Sequence, residues 1–286
     1  MTIYFNNIRG LKSKENNFKI IIEEKKPTIF CLVESWLDKK EKMKVEGYKI
    51  YRNDRNDLGG GIMVGVQKEM EHITQELTRE TGQVETMWIS ISNNRENIKL
   101  GVVYIPKENI KKEEIKKVYK HIEEEIEEGK RNDFKVMIIG DFNAKVGNKI
   151  IPGNTEEITT GGKLLTELVE KEMMIIMNGT GICKGLWTRQ QAGKKSIIDY
   201  VITESDSEGV VKQIEIDEKR EWTPNRIKKK KNGKTRQVYT DHNAMLNTYN
   251  ARLDRTKKEA ARKTRADLHK RLLQNARRET KQDESK

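Results

Sequence analysis

Residues 136–147 read VMIIGDFNAKVG. Four apolar residues run straight into Gly140, Asp141, Phe142 and Asn143. A short continuous apolar run bounded by glycine is the pattern of a strand buried on both faces. A carboxylate set at the end of such a strand is costly unless something pairs with it, so the placement points to chemistry. Successive strand side chains alternate faces. Asp141 and Asn143, two apart, are therefore expected to point the same way, with Phe142 turned into the core.

Outward from this stretch, strand-like segments recur at residues 2–5 (TIYF), 28–35, 48–52, 60–66, 85–92 and 98–105 on the N-terminal side. Residues 174–178, 196–203, 210–217 and 238–246 continue the series on the C-terminal side. Helical patterns fall at 16–26, 108–129 and 161–172; the second places Ile115, Val118, Ile122 and Ile126 on one face opposite charged residues. This order is a many-stranded α+β pattern rather than a regular alternation of strand and helix, and it holds no repeat of 20–50 residues. From Ala251 the chain changes character, with strong helix formers, neither glycine nor proline, and few large apolar residues. Residues 1–249 are expected to form one domain, and 250–286 a basic helical or disordered tail.

Charge is concentrated. The chain carries a formal net charge of +12, while the run Arg226–Arg236 (RIKKKKNGKTR) and the tail from Ala251 together hold more than that surplus. The presumed globular body is close to neutral. Basicity gathered in one loop and one tail is the footprint expected of phosphate contacts, although a solvated charge run is also common. No run approaches the roughly 20 apolar residues of a membrane span. The opening MTIYFNNIRGLKSK lacks the order of a secretory signal. An intracellular chain, nuclear or cytoplasmic, with no membrane partner is expected; Lys228–Lys231 suit a nuclear localisation signal. Cys31 and Cys183 lie in or near apolar segments without CxxC spacing and read as small buried hydrophobes, which argues against zinc chemistry.

Polar residues recur where apolar runs end: Asn7, Glu34, Tyr104, Asp141 with Asn143, Asp199, and Asp241 with His242. Buried carboxylates such as Glu34 and Asp199 require a cation or a histidine. Oxygen ligands with no thiolate and few histidines favour Mg²⁺, with Mn²⁺ able to substitute. Such an inventory suits phosphodiester hydrolysis. A metal polarises the phosphoryl oxygen, an aspartate deprotonates water, and Asn and His donors hold the non-bridging oxygens. The triple glycine at 59–61 opens no helix, so it reads as a tight turn entering a strand rather than a dinucleotide loop.

The order of these clusters resembles the endonuclease/exonuclease/phosphatase superfamily, with its DNase I-like fold. Within it, the sequence is most similar to the apurinic-type endonuclease domains of non-LTR (LINE-type) retrotransposons and the related craniofacial-development-protein-2-like proteins. The matching residues are Asn7, Gly10 and Leu11; Glu34 in ESWL; and Arg52, Asp54, Arg55 with Gly59–Gly61. Further on they are Tyr104 and Pro106; Gly140–Ala144; Ser196, Ile198, Asp199 and Tyr200; and Thr240, Asp241 and His242. The resemblance implies a four-layer sandwich, two packed mixed β-sheets flanked by helices, over about residues 2–247.

The same resemblance implies roles. Glu34 is the principal metal ligand, with Asn7 and Asp241 near the same ion. Asp141 activates the water, and Asn143 orients it and the phosphate. Asp199 holds the His242 imidazole, whose other nitrogen donates to the scissile phosphate, and Tyr104 sits there too. Thr188 falls where retroelement endonucleases run along the DNA groove. Arg55 and the basic residues Arg226, Lys228, Lys229, Lys230, Lys231, Lys234 and Arg236 are candidate nucleic-acid contacts, the latter in a hairpin region that reaches into a groove in relatives. Arg9 stands where many apurinic endonucleases carry Asp or Asn, which argues against a second metal position. The implied activity is Mg²⁺-dependent nicking of double-stranded DNA that leaves a 3′-hydroxyl, with a reverse transcriptase domain as partner in the parent element. The alternatives are another phosphoesterase of this fold, acting on abasic DNA, RNA, phosphoinositides or small phosphates, or an inactive nucleic-acid-binding relic.

Overall fold

The computed structural model describes residues 1–54, 59–76, 85–92, 97–106, 112–205, 211–229 and 235–250. In chain order the N-terminal part gives β1 (Thr2–Asn7), α1 (Glu15–Lys25), β2 (Ile29–Val33), β3 (Tyr48–Asn53), β4 (Ile62–Gln67) and β5 (Thr74–Glu76). The middle gives β6 (Glu85–Ser92), β7 (Asn97–Tyr104), α2 (Lys112–Arg131), β8 (Lys135–Asp141), α3 (Thr160–Lys171) and β9 (Met174–Ile176). Then come β10 (Cys183–Lys184), β11 (Arg189–Gln191), β12 (Lys194–Ser196), β13 (Asp199–Glu204), β14 (Val211–Ile216), β15 (Asn225–Lys229), β16 (Thr235–Tyr239) and β17 (Met245–Tyr249).

Two mixed sheets result. One runs β10-β14-β17-β1-β2-β4-β3, the other β5-β6-β7-β8-β13-β9. Parallel pairs (β1 with β2, β7 with β8) sit among antiparallel ones. Strand alternation decides the layers. In β1, Ile3 and Phe5 enter the core between the sheets, where they share a cluster with Met137 and Ile139 of β8. Tyr4 turns the other way, onto Phe18, Ile21 and Ile22 of α1. In β8, Val136 and Ile138 face Val118, Ile122 and Ile126 of α2 and Leu165 and Leu168 of α3. Each central strand is thus apolar on both faces, as sheet-on-sheet packing with outer helices requires. The architecture is the expected sandwich of two packed mixed sheets flanked by helices.

Two sequence expectations change. The apolar run 238–246 is not one strand: β16 ends at Tyr239, residues 240–244 cross as a loop, and β17 begins at Met245 in a different sheet. Residues 196–203 likewise divide between β12 and β13. The basic tail, residues 251–286, lies outside the described residues.

Candidate active site

The catalytic candidates converge where strand ends from both sheets meet. In the second sheet, register places Tyr104 of β7 beside Asp141 of β8, and Asp141 beside Asp199 of β13. Three candidate side chains therefore stand on adjacent strands at one edge. Gly140 permits this closeness, because a Cβ there would lie 2.1 Å from the carbonyl oxygen of Val103. In the first sheet Asn7 closes β1 and Glu34 follows β2 directly, with φ at 52°.

Asn7 ties the sheets together. Its Nδ2 donates to Glu34 Oε1 at 2.9 Å and to Asp141 Oδ2 at 2.8 Å. The Tyr104 hydroxyl also donates to Glu34 Oε1, at 2.8 Å. Glu34 Oε2 faces Arg9 Nε at 4.0 Å. Asn143 reaches the same place by a route other than strand alternation. The strand stops at Asp141, and Asn143 takes a left-handed φ of 45°. Its backbone N–H donates to Asp141 Oδ1 at 2.9 Å, and its Nδ2 donates to the Ile105 carbonyl at 2.9 Å and to Asp141 Oδ2 at 3.3 Å. Phe142 is buried.

His242 sits in the loop between β16 and β17, with Nδ1 2.9 and 3.0 Å from the carboxylate oxygens of Asp199 and Nε2 3.7 Å from Asp141 Oδ2. Thr240 anchors that loop by donating to the Asn7 carbonyl at 2.8 Å. Burial alone would lower the His242 pKa; the facing charges of Asp199 and Asp141 outweigh it and carry it up to about 9. Burial, then Asp199, raises Asp141 to about 7. Burial, then Glu34, pushes the Tyr104 hydroxyl upward, so it keeps its proton.

Asp241 has both oxygens engaged. Arg9 Nη1 donates to Oδ1 at 2.6 Å and Arg189 Nε to Oδ2 at 2.8 Å. Burial would raise its pKa, but His242 and the arginines together hold it down at about 2. Arg189, on the polar hairpin β11–β12, carries no apolar periodicity that would single it out in the sequence. Lys14 is equally inconspicuous there. It is buried, and its Nζ donates to the carbonyls of Ile8, Arg9 and Gly10 at 2.7, 2.8 and 3.3 Å, fixing the turn that follows Asn7.

Thr188 is corrected by its burial. It is wholly inaccessible, and its Oγ1 accepts the backbone N–H groups of Ile198 and Asp199 at 3.0 and 3.1 Å. It positions the strand that carries Asp199 and has no surface to offer a DNA groove. Arg226, Lys228 and Arg236 are exposed on the hairpin of β15 and β16, and Lys229 ends β15. Arg55, Lys230, Lys231 and Lys234 lie outside the described residues. Beside the carboxylates opens a cleft of about 830 Å³, lined among others by Arg9, Trp36, Arg220, Arg226, Arg236 and Asp241.

A family model described as endonuclease-reverse transcriptase matches residues 98–246. The chain belongs to this family. Among solved structures it is similar to the endonuclease domain of TRAS1, a telomere-specific non-LTR retrotransposon. The two are 16% identical with a TM-score of 0.60, over 87% of this chain and 97% of that one. It is also similar to the 3′-5′ exonuclease NExo of Neisseria meningitidis, at 14% identity and TM-score 0.65, over 88% and 100% of the two chains. The Xenopus laevis APE2 catalytic domain gives 16% and 0.64, over 87% and 91%. At these identities the likeness is one of fold. Comparison with curated protein sequences returns no match. Among the described residues no helix is long and apolar enough to cross a membrane.

Proposed function

We propose that this endonuclease-reverse transcriptase family member is a divalent-metal-dependent phosphodiesterase that nicks double-stranded DNA and leaves a 3′-hydroxyl. The observation that carries the reading is the convergence of Glu34, Asp141, Asp199 and His242 at one edge, beside a cleft lined with arginines. The donor set fits a hard cation. It is rich in oxygen, it contains no thiolate, and Glu34 accepts from Asn7 and Tyr104 at Oε1 while Oε2 faces the Arg9 guanidinium at 4.0 Å. Glu34 and Asn7 would hold Mg²⁺ or Mn²⁺, and Asp241 joins them only if Arg9 releases Oδ1. When bound, the ion polarises the phosphoryl oxygen and stabilises the departing oxygen.

The chain's own groups supply the rest. Asp141, raised to about 7, is a base matched to neutral pH and takes the proton of the attacking water. Asn143 keeps that carboxylate oriented through its N–H and Nδ2. His242, raised to about 9, is an imidazolium at neutral pH. Asp199 fixes its ring, and its Nε2–H, 3.7 Å from Asp141 Oδ2, would donate to a non-bridging phosphate oxygen. Tyr104 retains its proton and holds Glu34. Arg226, Lys228 and Arg236 contact the duplex backbone, and binding weakens steeply with salt.

The test is nicking of supercoiled plasmid by the purified chain with Mg²⁺ and with EDTA, beside Asp141→Ala and Glu34→Gln. Metal-dependent nicking that both substitutions abolish supports the reading. Intact plasmid with a folded wild-type chain, or full activity in Glu34→Gln, sinks it.

A further inference from the structure

We propose that Trp36 is a stacking platform for a nucleobase next to the scissile phosphate, so that the cleft favours DNA in which one base has a free face. This rests on the nuclease reading above and adds a subsite to it.

Trp36 is 48% exposed, whereas its neighbours Ser35 and Leu37 are 0% and 6% exposed. The backbone is therefore locked into the fold while the indole is held out of it. The lock is elaborate. Trp36 N–H donates to the Gly60 carbonyl at 2.9 Å and Ser35 N–H to that of Gly61 at 3.0 Å; Leu11 N–H donates to the Ser35 carbonyl at 3.0 Å. Trp36 adopts a φ of 53°, in the left-handed region that an aromatic L residue enters only at a cost, so the surroundings impose the conformation.

The seat of the ring is cut by a glycine. A Cβ at Gly10 would lie 2.7 Å from Trp36 Cε3, so only glycine lets the indole lie against this turn. Trp36 lines the 830 Å³ cleft together with Arg9, Lys12, Arg226 and Arg236. Trp36 is also two residues from Glu34, whose carbonyl accepts from Gly10 N–H at 2.8 Å, so the platform and the reaction centre share one rigid turn.

A fixed, exposed indole among cations suits a ligand that presents a flat π-face and a negative charge together, and a nucleotide does both. In an intact duplex each internal base has both faces covered by its neighbours. An unpaired or terminal base leaves one free, and stacking on Trp36 then rewards that state.

The experiment uses the full chain in EDTA. It measures affinity for three probes of equal length: a paired duplex, the same duplex with one unpaired 2-aminopurine, and a single strand. Base–aromatic stacking is worth ~1–3 kcal/mol, so Trp36→Leu is expected to weaken binding of the unpaired probe roughly 5- to 150-fold and to change duplex binding little. Trp36→Phe keeps most of the wild-type affinity, and quenching of 2-aminopurine emission by the wild type disappears in the Leu variant. Equal binding of the unpaired probe by wild type and by a folded Trp36→Leu chain overturns the stacking subsite while leaving the nuclease reading intact. Equal loss on all three probes overturns it too, because it marks a wedge or a structural contact. If Trp36→Leu does not fold, absence of quenching by wild type and by Trp36→Phe overturns it. A folded wild type that binds no probe removes the nuclease reading and the subsite together.

Discussion

Replacing Asp199 by asparagine separates the charge of His242 from its position. The side chain keeps its shape and its place at the start of β13, but the carboxylate 2.9 Å from Nδ1 is gone. In the wild type the imidazole rises from 6.5 to about 9 against the opposing effect of burial, and Asp199 is the foremost group raising it. That rise favours the protonated ring by roughly 3 kcal/mol. Without that carboxylate, burial is opposed by Asp141 and Asp241 alone among the causes of the shift, so the protonated fraction at neutral pH is expected to fall and the ring to become a weaker donor. Loss of one donor that meets developing charge costs on the order of 10²–10³ in kcat. Asp141 changes as well, because Asp199 is the second cause of its elevation. The assay is the initial rate of plasmid nicking against pH for both chains, with the His242 ring protons followed by NMR in EDTA. The variant should lose activity at neutral pH and regain part of it as the solution is made mildly acidic. An unchanged nicking rate together with an unchanged His242 titration would falsify the account.

Three other outcomes are expected. Gly140→Ala should prevent β7 and β8 from pairing closely, since the new methyl would meet the Val103 carbonyl at 2.1 Å. A loss of about 3 kcal/mol or more in urea unfolding checks this, and a mild effect would show that the strands can separate without harm. Lys99 is buried with its Nζ 2.7 Å from the buried Glu125, so Lys99→Met should cost ~3–5 kcal/mol, and the double change with Glu125→Leu should recover much of it; additive losses would refute the pairing. In EDTA the melting temperature should fall as pH rises. His242 is raised in the fold, so its contribution is full below 6.5 and lost as pH passes about 9; Asp141 is likewise raised, from 3.8 to about 7, and its contribution is lost across that interval. A melting temperature that rises from mildly acidic to alkaline solution contradicts both assignments.

The parts of the fold legible in the sequence were those where burial leaves a one-dimensional trace. Residues 136–141 announce β8 because a strand covered on both faces must be apolar throughout, and the Gly140–Asp141 step marks its end. α2 is legible because Val118, Ile122 and Ile126 return to one face every turn. The loop bearing His242 is not, because Val238, Tyr239, Met245 and Leu246 look like one run while the chain between them changes sheets. Arg189 was hidden for another reason: β11 and β12 are polar on the outside, and what fixes them is a bond to Asp241 across the fold. Asn143 was placed at the site on a strand-alternation rationale, but a left-handed turn brings it there. The family resemblance puts Thr188 at a DNA groove, and a lone threonine carries no sign of whether its hydroxyl faces water or, as here, two backbone amides.

The neighbouring of β1 and β17 has a consequence for synthesis. Asn7 is on the first strand of the fold to leave the ribosome, and His242 precedes the last, which pairs with the first from Thr2 to Phe5. Until that closing strand emerges, β1 lacks one of its partners and Asp199 has no imidazole to hold. A nascent chain therefore carries most of the carboxylates of the centre but no assembled centre. On the nuclease reading proposed above, such an ordering would delay cutting until β17 has been made and has paired with β1.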